Sequence, residues 1–110
     1  MNRQIKFRGI RKCNLNEFVY GFLMSPEKIN SINEGVVDVM PETVGQFTGF
    51  KDKNGVEIFE GDIVNDSWHG GFYVSFKNGC FFFHKKEKSG TRISAYKMES
   101  IEVIGNIHNA

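Results

Sequence analysis

Phe72-Tyr73-Val74-Ser75-Phe76-Lys77-Asn78-Gly79-Cys80-Phe81-Phe82-Phe83-His84 reads as two strands joined by a two-residue turn. A type I′ turn needs positive φ at both central residues, and Asn-Gly supplies it. That turn sets a register in which Lys77 faces Cys80, Phe76 faces Phe81, Ser75 faces Phe82, Val74 faces Phe83 and Tyr73 faces His84. Side chains alternate along a strand, so Phe72, Val74, Phe76, Phe81 and Phe83 share one face, which is assigned to a core. Tyr73, Ser75, Lys77, Cys80, Phe82 and His84 share the other.

Working outward, the same period of two recurs. Ile5 and Phe7 alternate with Lys6 and Arg8 in a first strand that Gly9 ends. Phe18–Leu23 and Val36–Met40 are two more, stopped by Pro26 and Pro41. Between them, Glu27–Gly35 is polar apart from Ile29 and Ile32, and reads as a loop or one helical turn. Thr43–Phe50 is β-prone but punctuated by Gly45 and Gly49, which predicts a bulged or bent strand. Asn54-Gly55 and Glu60-Gly61-Asp62 are turns, the second with an aspartate suited to bonding nearby amides. Ile63-Val64 opens the strand before the hairpin; Thr91–Lys97 and Ile101–Ile107 follow it. Phe76, Phe81, Phe83, Ile63 and Val103 are expected to be almost wholly buried.

At 110 residues, with 40% hydrophobic and 25% charged residues, the chain is a globular sequence the size of one domain. Met1–Arg8 is basic but no apolar stretch follows it, so a secretory signal is not expected, nor is a membrane span. Cys13 and Cys80 lie far apart and read as free, buried thiols of a reduced, cytoplasmic protein. The net charge of +1 hides blocks of +5 over residues 1–12, −7 over 13–66 and +3 over 67–110. Basic strands pairing with acidic ones inside the fold would explain the blocks, and so would a bipolar surface that draws an anionic partner or a second copy.

Catalytic signals are sparse. His69, His84 and His108 are scattered, none at metal-ligand spacing with a cysteine or carboxylate. No nucleophile elbow and no phosphate-cradling glycine loop is present. Asp52, Glu57, Glu60, Asp62 and Asp66 could in principle share a hard cation or act as a carboxylate hydrolase, but turn-stabilising roles account for them better. Tyr73 and Phe82, bracketed by Lys77, His84 and Lys86, form an aromatic face with cations. It suits either an oligomer contact or a platform for single-stranded nucleic acid.

Several motifs together resemble the YopX family of phage and prophage proteins. They are Lys6-Phe7-Arg8, then Gln46-Phe47-Thr48-Gly49-Phe50-Lys51-Asp52-Lys53-Asn54-Gly55 running on into Glu57-Ile58-Phe59-Glu60-Gly61-Asp62-Ile63-Val64, and finally Glu102-Val103-Ile104-Gly105-Asn106-Ile107. Asp52, Asn54, Gly55, Glu60, Gly61 and Asp62 are the turn residues of that central motif. The resemblance implies an SH3-type barrel in the second half; it implies no molecular activity. The expected protein is an all-β, mainly antiparallel single domain with little helix. Strands and a loop in 1–45 pack on a barrel-like part in 46–110. It is expected to be a non-enzymatic accessory module without a cofactor, acting as a homo-oligomer or on a phage or host protein.

Overall fold

A computed structural model describes residues 5–31, 33–85 and 90–108. Among them the chain forms eleven strands, three single-turn 3₁₀ segments and no α-helix, so the all-β expectation holds. The strand pairs are antiparallel. Two compact units form, one reaching to Phe47 and taking in His108, the other Thr48–Ile107.

In the first unit, β1 (Phe7–Ile10), β2 (Phe18–Ser25), β3 (Lys28–Ser31) and β4 (Gly35–Asp38) lie in the order β4-β3-β2-β1. The start of β5 (Gly45–Lys51) runs beside β1, with Phe7 opposite Gln46. A bridge between Arg11 and Val39 returns the end of β4 to the end of β1. Two backbone bonds flank it: the Met40 N–H donates to the Ile10 carbonyl at 2.8 Å, the Lys12 N–H to that of Asp38 at 3.2 Å. Val19, Ile29 and Val39 form the core, with Phe7, Val37 and Val44 against them.

Two expectations fail in this unit. Gly9 does not end the first strand; it lies inside β1, while Ile5 is exposed. Arg8 is buried, its guanidinium 4.2 Å from the centre of the Phe18 ring, where the flat cation covers an aromatic face. Nor is the polar stretch after Pro26 a loop or helical turn: Lys28–Ser31 is a strand paired on both sides. Ile29 is fully buried there, and the other inward position of the strand is filled by Ser31. The backbones run so close that a Cβ on Gly21 would sit 2.1 Å from the Asn30 carbonyl oxygen.

The second unit contains the rest of β5 with β6 (Glu57–Phe59) beside it. It also holds β7 (Asp62–Asp66), β8 (Gly70–Lys77), β9 (Cys80–His84), β10 (Thr91–Arg92) and β11 (Ile101–Asn106), in the order β10-β9-β8-β7-β11. That sheet is open, with β10 and β11 at its edges, so backbone pairing among the described residues does not close the SH3-type barrel that the resemblance implies. The hairpin has the expected register at all five positions, and Asn78 and Gly79 take φ of 51° and 81°. Ile58, Val64, Phe72, Val74, Phe81, Phe83, Ile93 and Ile101 make the core. Each fully buried large side chain contributes about 1.5–3 kcal/mol.

Three further corrections belong here. Phe76 has the inward parity but is 41 % exposed, because it lies beside the turn where the sheet ends; its ring rests 4.7 Å from that of Phe81. Ile63 and Val103 are half-buried, and β7 fills the core with Val64 instead. The strand expected over Thr91–Lys97 stops at Arg92. The chain then coils through Ile93–Ala95 and Met98–Ser100, which turns Ile93, Tyr96 and Met98 onto one core where strict alternation would have pointed Tyr96 away from Ile93.

Part of the charge pattern is paired within the first unit. Arg11 pairs with Glu17 at 2.7 Å and with Glu34, Lys12 with Glu27 at 3.1 Å and Lys28 with Asp38 at 2.5 Å. Two of the five bases in the N-terminal block, Arg11 and Lys12, thus meet acids of the block that follows it.

Candidate functional site

The face of the β8–β9 hairpin that carries Tyr73 and Phe82 assembles as expected. Tyr73 and His84 are cross-strand partners with ring centres 5.8 Å apart, and Phe82 sits diagonally, opposite Ser75. Tyr73, Phe82 and His84 are half-buried, and Lys77 is exposed opposite Cys80. Lys86 lies outside the described residues. Both cysteines are free but neither is buried: Cys13 is exposed and Cys80 intermediate.

The acidic turns act as clamps. The β5–β6 reversal is held by Asp52, which is buried. Its Oδ1 accepts the N–H groups of Asn54 and Val56 at 2.8 and 2.9 Å, and its Oδ2 accepts that of Val103 on β11 at 2.9 Å. Gly55 takes φ of 80° in this turn. Burial pushes the Asp52 carboxyl up, but the bonds from Val103, Val56 and Asn54 outweigh it and hold it below the ordinary carboxylate range. At Glu60-Gly61-Asp62, Gly61 has φ of 93° and the buried Asp62 Oδ2 accepts the Phe59 N–H at 2.7 Å. Among the described residues, no three His, Cys, Asp or Glu side chains come together as a set able to hold a metal ion.

Two surfaces were not anticipated. On the outer face of β2 and β4, Tyr20, Phe22, Met24 and Val36 are each 45–60 % exposed. Phe22 lies opposite Asn30, and Asn30 opposite Val36, so the two apolar groups occupy one cross-strand row. The alternation of Tyr20 and Phe22 was legible in sequence; which face it presented was not. The second surface is the β7–β8 turn. Asp66, buried at its base, accepts the Trp68 N–H at 2.9 Å on Oδ1 and holds His69 Nδ1 at 2.8 Å on Oδ2. The spacing Asp66-Ser67-Trp68-His69 fits an Asx turn, and that was its only local signal.

These features define an antiparallel all-β protein of two sheet-built units whose buried carboxylates are engaged in holding turns. No helix among the described residues is long and apolar enough to cross a membrane. Residues 6–110 match the family described as "YopX protein", and the chain belongs to that family. A crystal structure of protein EF1440 from Enterococcus faecalis is similar, with a TM-score of 0.60 at 24% identity over 98% of this chain and 96% of that one. At that identity the likeness is one of fold. No curated protein matches the chain.

Proposed function

We propose that this chain is a phage- or prophage-encoded accessory module that acts by protein contact without catalysis, and that it self-associates. The outer face of β2 and β4 carries the proposal. Tyr20, Phe22, Met24 and Val36 are each about half exposed on one face, and an apolar patch of several large side chains on a monomer usually marks a contact. A second copy is the occupant it suits: Lys28 and Asp38, at the margin of the face, are already paired with each other and call for no charged partner. The half-buried Tyr73, Phe82 and His84 offer less free surface and rank second as the contact. Turn roles for Asp52, Asp62 and Asp66 support a non-enzymatic reading, and two free thiols fit a reducing bacterial cytoplasm.

Light scattering across a concentration series tests the proposal. The wild type should gain mass with concentration, and Phe22→Ser with Val36→Ser should remain monomeric with little change in melting temperature at low concentration. A wild type that is monomeric throughout overturns self-association. A double variant that still associates moves the contact elsewhere, with Tyr73→Ala/Phe82→Ala as the next pair to change.

A further inference from the structure

The geometry of the β7–β8 turn points to a binding site for single-stranded nucleic acid, with an unpaired base stacked on Trp68 and the adjoining backbone phosphate held by Lys85. It is independent of self-association, which rests on the first unit. Trp68 is 83 % exposed, the most exposed of the large hydrophobic side chains among the described residues. An indole left in water at the tip of a turn adds nothing to the core, yet its backbone is held firmly. The buried Asp66 carboxylate takes the Trp68 N–H, the Asp66 carbonyl takes the His69 N–H at 3.3 Å, and the Ser100 carbonyl takes the Ser67 N–H at 3.1 Å. A turn whose backbone is already ordered loses little further entropy when something stacks on its side chain.

The surroundings select the chemistry of the partner. Lys85 reaches the same turn, its Nζ donating to the His69 carbonyl at 2.9 Å and lying 5.4 Å from the centre of the Phe72 ring. One of the three ammonium donors is thereby used, and the charge is fixed beside the turn. The His69 ring bonds Asp66 Oδ2 and makes a T-shaped pair with the Tyr96 ring, 6.0 Å between ring centres, which leaves Nε2 on the side away from the carboxylate. Lys85 is thus the cation that the fold brings to this turn; Lys77 lies at the other end of β8, and Glu99 adjoins Ser100, whose carbonyl bonds the Ser67 N–H. The Asp66 carboxylate is buried and already bonded, so it opposes an anion only weakly. An exposed aromatic beside a fixed cation binds a base by stacking and a phosphate by charge, without reading sequence. A protein pocket accepting Trp68 would have no need of Lys85 held beside it, and it is the outcome that the experiment separates.

Trp68 is the chain's single tryptophan, so tryptophan emission, excited selectively over the tyrosines, reports on this turn. The full chain is titrated with oligo-dT and oligo-U of about 15 nucleotides, a length matched to the site sizes of small barrels. Saturable quenching is expected, weakening steeply with added salt as phosphate contacts are screened. A duplex of equal length should not compete. By anisotropy of a labelled oligonucleotide, Trp68→Ala should weaken binding about 5- to 150-fold, the equivalent of one lost stack, with Trp68→Phe in between. Lys85→Gln should lower the salt slope by about one phosphate contact. Melting temperature should be unchanged in Trp68→Ala; should that variant fail to fold, quenching of the wild type still decides. Absence of quenching up to roughly 0.1 mM oligonucleotide, equal binding of duplex, or full affinity in folded Trp68→Ala each overturns the site, and the first result returns Trp68 to a protein partner.

Discussion

Asp52 concentrates much of the turn chemistry in one side chain. Its Oδ1 serves two amides of its own turn and its Oδ2 serves Val103, 51 residues away. Asparagine can replace the first oxygen but not the second, because its amide nitrogen would face the Val103 N–H. Asp52→Asn should therefore destabilise by about 1–3 kcal/mol, the cost of one buried donor left unpaired, and Asp52→Ala by more. Urea unfolding measures both; an Asp52→Asn variant as stable as wild type would show that the clamp to β11 is dispensable. The local half of this arrangement was legible in sequence, since Asp-x-Asn-Gly is turn chemistry wherever it occurs. The clamp to Val103 was not, because no local pattern carries a bond across such a separation. Arg8 is a similar case: alternation placed it outward with Lys6, whereas the pairing of β1 with β2 brings the Phe18 ring over its guanidinium.

Elements whose register is fixed by their own turn were the most readable. Asn78-Gly79 determined five cross-strand pairs because two residues of positive φ admit only one hairpin geometry. Nothing lies within 4 Å of a Cβ built on Gly79, so Gly79→Val should destabilise by more than about 1 kcal/mol through backbone strain alone. The same hairpin separates parity from burial. Phe83, fully buried, should cost about 3–5 kcal/mol when cut to alanine, whereas Phe76, near the open end, should cost about 1 kcal/mol. Equal losses in thermal melts would mean that the hairpin end is covered after all. β3 escaped sequence reading for a physical reason: its contribution to the core is one isoleucine and one serine, and what makes room for it is an absent side chain on β2. Gly21→Ala should therefore be strongly destabilising although position 21 is not core, since the added carbon meets backbone that cannot rotate away.

Across the molecule, carboxylates do two kinds of work, and acid should tell them apart. Glu34 and Asp38 lie below their ordinary range because of side-chain bonds from Arg11 and Lys28, but these pairs are at the surface, where solvent and salt leave little net stabilisation. Asp52 and Asp66 are buried. Burial raises the Asp66 carboxyl, yet the bonds from Trp68, His69 and Ser100 together prevail, and it too falls below its ordinary 3.8. A carboxyl with a folded pKa below its unfolded one binds fewer protons when folded, so stability drops as pH drops. The contribution is complete above about pH 5 and is lost as pH falls from near 3.8 through the lower folded value. Chemical unfolding between pH 7 and pH 2 should show a steep acid loss that persists in about 0.5 M salt, since buried hydrogen bonds are screened far less than surface pairs. In Asp52→Asn/Asp66→Asn the neutral-pH stability should be lower and the acid slope shallower, because the groups that take up protons on unfolding are gone. A slope unchanged in the double variant, but abolished by salt, would assign acid sensitivity to the surface pairs of the first unit instead.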